Sequence, residues 1–290
     1  MKPSSRLCIA GKNQIAVDVL DHALTMSSLQ TFVLPVAGDD GCEDWQPSLR
    51  ARAKALGVPI VSLDWAMAQP ELTFLSVEYE KLVRPSRFAS PRLFNIHFSL
   101  LPALRGCFTS IWPILLGMPV HGVTLHWIDA GMDTGPIIDR RSFPIDDMTA
   151  RQIYFRAMAE GRDLILERLN QMIAGDPPAM VQDERLSSTY RRSAMDFSLA
   201  EIDQSLDVGD ALRRISAFSF PEYQMPTFFG HPIARASRTH QRDESSPGTV
   251  EVISSRVIIV SFDGGALQLE FDREWSAETT AAPIKRRAVA

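Results

Sequence analysis

The stretch FNIHFSLLPALRG, Phe94 to Gly106, combines a β-type run with two polar residues and a turn. Because residues two apart in a strand face the same side of a sheet, Asn95 and His97 are predicted to project together, while the apolar residues around them face the core. The Ser-Leu-Leu-Pro sequence that follows indicates a turn at the end of the strand. Open α/β sheets bind their ligands at such strand ends, so the stretch predicts a site.

Another interpretation of the same pair is that both side chains are hydrogen-bonded core residues, as most buried polar groups are. A third residue favours a site. Asp133 lies in the Gly-rich loop IDAGMDTGPII, 128–138, which follows a second predicted strand. A carboxylate near an imidazole orients the ring and favours its protonated form. Asn95, His97 and Asp133 would then supply a hydrogen-bond donor, a proton carrier and a tuning charge.

Around this stretch, short apolar runs alternate with helical patterns. Strands that alternate with helices predict an α/β fold, in which a mostly parallel sheet carries helices on both faces. The predicted strands are 6–10, 31–38, 59–63, 72–77, 92–98 and 121–129, and the predicted helices are 13–24, 48–57 and 148–175.

The pattern changes after residue 175, where a polar, Pro-containing stretch indicates a linker. A short helix is predicted over 207–220, with Asp207 as its N-cap. From Gly248 the sequence becomes β-type, with a hairpin turn at Asp263-Gly264-Gly265 and a loose tail over 279–290. We therefore predict a catalytic domain over 1–190 and a smaller, largely β domain with some helix over 191–290.

The composition excludes several classes of protein. The 290 residues are 45% hydrophobic and 22% charged, with a formal net charge of −5, so a general nucleic-acid-binding surface is not indicated. No apolar run approaches the roughly 18–20 residues of a membrane span, and the N-terminus lacks the apolar core of a signal peptide. Three scattered cysteines do not suggest a disulfide framework. We expect a cytoplasmic protein with no membrane partner.

Common cofactor and nucleophile motifs are missing. The first predicted strand is followed by a single glycine, Gly11, so neither a dinucleotide fingerprint nor a P-loop is present. Ser99 has no surrounding nucleophile elbow. His121 and His126 are five apart and fall on opposite faces of one predicted strand, which favours structural roles and makes them poor metal partners. No metal is expected.

The two blocks NIHFSLLPALRG and GVTLHWIDAGMDTGPII together resemble the signature of the formyltransferases that use N10-formyltetrahydrofolate. The resemblance is closest over 72–140 and implies a Rossmann-like formyltransferase fold with a small C-terminal β domain. It implies N10-formyltetrahydrofolate as co-substrate. It also implies that His97 is the general base, that the Asn95 amide stabilises the developing oxyanion, and that Asp133 assists His97 in returning the proton.

Two segments align with the parts of the family motif that flank the pterin of the folate, largely through backbone groups. The folate-binding residues implied in this way are Tyr79, Glu80 and Lys81 in the first segment and Asp129, Ala130, Gly131 and Met132 in the second.

Within the family, the segments 74–83, 107–117 and 213–226 resemble enzymes that formylate amino sugars carried on dTDP. Aromatic and amide side chains in the last segment would stack on and hydrogen-bond a thymine, although they also suit a turn that packs in the core around Pro221. The implied substrate-binding residues are Thr109, Phe218, Tyr223 and Gln224.

Other readings of the resemblance remain. The acceptor could be hydroxyornithine of a siderophore pathway or methionyl-tRNA. A tRNA partner favours a basic surface, and 205–290 hold 10 Lys+Arg against 11 Asp+Glu. A folate-binding module without catalysis is a further alternative, against which the retention of all three candidate catalytic residues argues. A homodimer is expected, since the hairpin offers strand edges for pairing and similar enzymes are often dimers.

Overall fold

The structure is a computed structural model that describes residues 5–239, 246–274 and, for the backbone alone, 285–287. Its helices are α1 (Asn13–Leu24), α2 (Leu49–Leu56), α3 (Leu63–Met67), α4 (Trp112–Leu115), α5 (Ala150–Ala174) and α6 (Val208–Phe218). Its strands are β1 (Ser5–Gly11), β2 (Leu29–Pro35), β3 (Leu72–Val77), β4 (Leu93–His97), β5 (Arg105–Gly106), β6 (Val120–Trp127), β7 (Ile137–Pro144), β8 (Thr189–Tyr190), β9 (Thr227–Phe228), β10 (His231–Arg238), β11 (Thr249–Ser254), β12 (Val257–Phe262), β13 (Gly265–Phe271) and β14 (Lys285–Arg287).

The first sheet has the order β2-β1-β3-β4-β6-β7. Its first four strands are parallel, whereas β6 runs antiparallel to β4 and β7 antiparallel to β6. This arrangement confirms the predicted α/β class with a mostly parallel sheet. Strand β4 lies inside the sheet, with β3 on one side and β6 on the other. Its C-terminal end lies beside the end of β3, where Val77 pairs with Ile96, and beside the middle of β6, where Thr124 pairs with His97. The strand part of the stretch Phe94 to Gly106 therefore ends where an open α/β sheet binds ligands.

Local capping sets several helix boundaries. The side chain of Ser48 accepts a hydrogen bond from the backbone N–H of Ala51 at 2.9 Å and so begins α2. Asp207 begins α6 in the same way, accepting from Gly209 at 2.8 Å and Asp210 at 3.0 Å, as the sequence predicts. In the described part of the chain, no helix is both long enough and apolar enough to be a candidate membrane span.

The structure differs from the strand predictions at several places. The predicted strand over 59–63 is wrong: only Ile60 forms a bridge, and the Ser62 side chain caps α3 by accepting from the N–H of Trp65 at 3.1 Å. Strands β7 and β10 were not predicted, because neither is a continuous apolar run. In both strands the charged side chains are exposed or only partly buried. In β7, an edge strand of the first sheet, the buried face is too sparse to produce a recognisable alternating pattern.

The chain divides into two compact units, one comprising Met1–Thr109, Val120–Pro144 and Tyr154–Arg192 and the other comprising Ser110–Pro119, Ile145–Ile153 and Ser193–Ala290. The domain prediction placed all of 1–190 in the first unit, so the two inserted segments correct it. The physical reason is non-local packing: α4, in the segment 110–119, packs against α6 within the second unit. The local sequence pattern does not indicate this long-range contact.

The second unit contains a sheet with the order β14-β11-β12-β13-β10-β9. The predicted hairpin is present as β12 and β13, which join at Asp263-Gly264. Both outer edges of this hairpin, on which the expected dimer depended, are paired within the sheet, β12 with β11 and β13 with β10. Strand β14 in turn pairs with β11 in parallel. The homodimer stays a prediction, and the remainder of the tail predicted over 279–290 lies outside the described residues.

Candidate active site

The antiparallel pairing of β4 with β6 places Asn95 directly opposite His126 and His97 opposite Thr124. Side chains of directly opposed residues are neighbours on one face of a sheet. Accordingly, the Nδ2 of Asn95 lies 3.1 Å from the Nε2 of His126. His97, the last residue of β4, is only 8% exposed. The strand end therefore presents an amide and two imidazoles in a nearly dry environment.

Asp133 joins this group from the loop that follows β6. Its Oδ2 lies 3.7 Å from the Nδ1 of His97, and its Oδ1 lies 3.9 Å from the Nε2 of His126. The same Oδ2 accepts a hydrogen bond from the backbone N–H of Gly106 at 2.8 Å. The structure thus brings together the three candidate catalytic residues, Asn95, His97 and Asp133. Their catalytic roles stay a prediction.

The hydrogen bonds of His97 define which of its nitrogens is available for chemistry. Its Nε2 lies 3.0 Å from the carbonyl oxygen of Leu104. Because a carbonyl only accepts, the Nε2 carries the hydrogen and donates it. The neutral ring then has its lone pair on Nδ1, facing the carboxylate of Asp133. A proton taken up at Nδ1 would be stabilised by that carboxylate, as a general base requires.

His126 is a site residue that the sequence analysis assigned to a structural role. Its Nδ1 donates to the carbonyl oxygen of Trp127 at 2.7 Å, which leaves Nε2 to accept from the Asn95 amide. One N–H of that amide is thereby used and the other is left for a ligand. The missing signal was the register between β4 and β6, which the sequence does not state.

Burial lowers the pKa of His126 to about 4, an effect that the nearby Asp133 carboxylate partly opposes. The ring is therefore neutral at pH 7, in agreement with the accepting role of its Nε2. Because the unfolded chain binds this proton near the usual pKa of 6.5 and the folded chain does not, stability is complete above pH 6.5 and declines as the pH falls to about 4. The full effect is roughly 3 kcal/mol for one such shift.

We expect a His126→Gln variant to lose less stability than the wild type as the pH is lowered from about 7 to about 4.5, since glutamine keeps an acceptor for Asn95 but does not titrate. Thermal unfolding of both proteins across this range measures the difference. His22→Gln, at an exposed helical position, is the control and should follow the wild type. Parallel curves for all three proteins would contradict a depressed pKa at His126.

The two segments predicted to flank the pterin both start beside the same apolar cluster in the first unit. Tyr79 and Ile128, the residue before Asp129, both pack against it. Burial raises the pKa of Tyr79 to about 12, so its hydroxyl remains a neutral donor. Within the two segments, the exposed residues are Glu80, Lys81, Ala130, Gly131 and Met132. The buried members of the cluster are Cys8, Ala10, Leu34, Ala66, Leu72, Phe74, Val83 and Leu93.

Two acidic residues of those segments are engaged in loop structure. Glu80 accepts from the N–H of Ala37 at 3.1 Å. Asp129 accepts from the N–H of Gly131 at 3.0 Å and from the hydroxyl of Thr134 at 2.6 Å. Both side chains therefore shape the backbone, which agrees with contacts made largely through backbone groups. Whether these residues bind folate stays a prediction.

A polar cluster that the sequence analysis did not single out lies at the ends of β1 and β3. The Oε2 of Glu78 accepts from the Asn13 amide at 2.7 Å and from the Tyr154 hydroxyl at 2.6 Å, and Lys12 lies 4.0 Å away. Glu78 has a left-handed backbone, with φ 49°, immediately before Tyr79. This partly buried arrangement fixes the start of the segment 79–81.

Of the four predicted substrate-binding residues, one must be withdrawn. Phe218 is 0% exposed and packs against Phe197, so it offers no ring face to a base, and for this residue the core-packing interpretation is correct. Tyr223 is 57% exposed, with its ring 4.8 Å from that of the buried Phe220. Gln224 exchanges two backbone hydrogen bonds with Phe220.

Tyr223 and Gln224 thus belong to a tight turn whose side chains are at least partly accessible. Thr109, the fourth residue, is half-buried in the first unit. Contacts of these three residues with a substrate stay predictions. Among the residues that the structure describes, no group of three or more His, Cys, Asp or Glu side chains is placed to hold a metal ion.

Comparison with known proteins identifies the class of protein to which this fold and polar strand end belong. A sequence model described as Formyl transferase matches residues 13–169, more than half of the chain. The chain belongs to this family. The family membership confirms the resemblance drawn from the two sequence blocks.

Two solved structures share both sequence and fold with the chain. WlaRD, a sugar 3N-formyl transferase crystallised with dTDP and 5-N-formyl-THF, is 33% identical with a TM-score of 0.85, over 94% of this chain and 99% of that one. An N-formyltransferase from Helicobacter canadensis, in complex with folinic acid and dTDP-3-aminofucose, is 32% identical with a TM-score of 0.83, over 93% and 99%.

Curated relatives by sequence are methionyl-tRNA formyltransferases. That of Clostridium novyi is 31% identical over 180 residues, which cover 61% of this chain and 57% of that protein. The chain therefore matches little more than half of the length of this relative, whereas it matches nearly all of each of the two solved structures.

Proposed function

We propose that this protein transfers the formyl group of N10-formyltetrahydrofolate to the amine of a dTDP-linked amino-deoxy sugar. The observation that carries the proposal is the convergence at the end of β4, where the Nδ1 of His97 lies 3.7 Å from the carboxylate of Asp133 and the Asn95 amide has a free N–H. These are the three chemical functions that transfer of a formyl group between nitrogens requires.

In the proposed reaction, the folate supplies a formyl carbon bonded to a nitrogen that can leave as an amine. The acceptor amine forms a bond to that carbon, and its proton passes to the Nδ1 of His97. The free N–H of Asn95 donates to the formyl oxygen as negative charge develops there. When the carbon–N10 bond breaks, the proton held by His97 beside Asp133 passes to the departing nitrogen, and neutral His97 is regenerated.

The nature of the acceptor is proposed from the two solved relatives. Both are bound to dTDP or to a dTDP-sugar, and both align over nearly their whole length with this chain. One is described as a sugar 3N-formyl transferase and the other holds dTDP-3-aminofucose, which supports an amine at C3 of the sugar. The near balance of charge over 205–290 gives no support to a tRNA-binding surface.

Thermal shift with nucleotides tests this acceptor class. In the presence of folinic acid, dTDP should raise the unfolding temperature, since a ligand at 100 times its Kd adds about 2.7 kcal/mol of stability. UDP and GDP at the same concentration should have smaller effects. Formyl transfer to a dTDP-3-amino sugar and to methionyl-tRNA should then be compared directly. Activity on methionyl-tRNA alone would overturn the sugar proposal and favour the alternative acceptor.

A further inference from the structure

The segment that the sequence predicts to be a linker makes unexpected contacts with the site. Gln182 is 6% exposed, although it directly follows Val181, which is 82% exposed. Both hydrogens of its amide are used, because Nε2 lies 2.8 Å from the carbonyl oxygen of Asp133 and 2.8 Å from that of Gly135. Its Oε1 accepts from Arg105 at 2.9 Å. The Gln182 side chain therefore hydrogen-bonds to the backbone of the turn at both Asp133 and Gly135, and Asp133 carries the candidate carboxylate.

This turn needs to be held in place. Asp133 has a left-handed backbone, with φ 57°, which residues other than glycine adopt rarely and which persists only when the surroundings enforce it. The turn also packs tightly against the end of β6 at Gly135, since a Cβ at that position would lie 1.8 Å from the carbonyl oxygen of Trp127. Gln182 fixes the backbone on one side of Asp133, and the N–H of Gly106 fixes its carboxylate on the other.

The same segment also reaches the partner of His97. The hydroxyl of Ser188 accepts from the N–H of Leu104 at 2.8 Å, and the carbonyl oxygen of Leu104 accepts from the Nε2 of His97. Beyond Ser188, β8 pairs with β5, and a Cβ at Gly106 would lie 2.4 Å from the Tyr190 carbonyl oxygen. Only glycine allows the two backbones to lie this close.

Arg105 anchors the segment. It is 6% exposed, and its guanidinium donates to the Gln182 side chain and, through two nitrogens, to both carboxylate oxygens of Glu184 at 3.0 and 2.6 Å. Such a paired geometry fixes orientation as well as position. One arginine therefore orients the amide that in turn orients the Asp133 loop.

We propose that residues 182–190 form a strap that sets the relative position of Asp133 and His97, and that Gln182 is the positioning residue for Asp133. The strap contacts the backbone of Asp133 through Gln182. Through Ser188 it contacts the backbone of Leu104, the hydrogen-bond partner of His97. The Asp133 and His97 side chains are 3.7 Å apart. It touches neither the reacting atoms nor, in the proposed reaction, the formyl group. The inference rests on the proposed function only for its kinetic readout.

The test replaces Gln182 by Met, which has a similar length but cannot hydrogen-bond in the same way. We expect kcat for formyl transfer to fall about 10- to 100-fold, because small displacements of a catalytic group cost this much. KM values for both substrates should stay within about threefold. The matched control is Gln171→Met, at an exposed position of α5, which should behave like the wild type.

A double variant separates positioning from a general loss of stability. If Gln182 acts through Asp133, then Gln182→Met in an Asp133→Asn background should cause little further loss, whereas independent effects would multiply. Ser188→Ala, with exposed Ser28→Ala as its control, tests the other end of the strap and should also lower kcat. If Gln182→Met does not fold, Ser188→Ala alone decides. Wild-type kcat in the variants that fold, or multiplying losses, would overturn the proposal.

A crystal structure of Gln182→Met keeps the inference separate from the proposed function. We expect the Asp133 loop to be displaced relative to the Gln171→Met structure, with the His97–Asp133 distance altered. An unchanged loop would overturn the strap whatever the reaction. A wild-type protein that transfers no formyl group to any acceptor would defeat the proposed function and leave this structural result standing.

Discussion

A His97→Asn variant should lose formyl transfer by about 10²- to 10⁴-fold in kcat, because a positioned general base contributes that much to rate. Asparagine has a similar polar size but no nitrogen that takes up a proton near neutral pH. The acceptor amine would then have to lose its proton to water, and the departing nitrogen would lack the proton that His97 holds beside Asp133. Single-turnover kinetics with saturating substrates measure the loss at the chemical step.

Folate binding should survive in this variant, since His97 is not among the residues predicted to flank the pterin. Calorimetric titration with folinic acid checks this point and shows that the variant is folded. His22→Asn, the same change at an exposed helical position, is the control and should retain full activity. A His97→Asn enzyme with wild-type kcat would remove this residue from the mechanism.

Replacing Asn95 by Ala should lower kcat by about 10²- to 10³-fold, the cost of removing one donor to a developing oxyanion. The amide is well placed for this role because neutral His126 holds one of its N–H groups, 3.1 Å away, and so fixes the direction of the other. A preorganised donor needs no reorientation during the reaction, and its loss therefore lowers kcat strongly. Comparison of kcat with the dissociation constant of folinic acid separates this effect from weaker binding.

The control for this change is Asn170→Ala on the exposed face of α5. It removes the same chemical group from a position without a part in the site. If Asn95→Ala lowers folate affinity and leaves kcat within about threefold of the wild type, the amide binds the ground state and is no oxyanion donor.

Much of the site could be predicted because it follows local rules. Strand alternation alone places Asn95 and His97 on one face, and a Gly-rich loop after a strand marks the region of Asp133. His126 could not be assigned in this way, because its contact with Asn95 depends on which strand pairs with β4 and in which register. Gln182 lies 49 positions from Asp133 in sequence, and nothing local distinguishes it from a solvated linker residue.

The distinction between local patterns and long-range contacts also explains which strands and helices could be predicted. The parallel strands are buried on both faces and produce apolar runs that can be recognised, whereas three charged residues interrupt β7, so that it produces none. Phe218 shows the opposite error: an aromatic residue beside a turn suggested a binding surface, but the helical periodicity of α6 turns it fully into the core. Position on an element decided its role more than residue type did.

The division of the chain has a consequence for recombination and engineering. Because α4 and the segment 145–153 belong to the unit that also contains 193–290, that unit is assembled from three separate stretches of polypeptide. A chimera of two related enzymes made by a single crossover near residue 190 would join α4 of one parent to α6 of the other. We expect hybrids that take all three stretches from one parent to keep the packing of this unit intact.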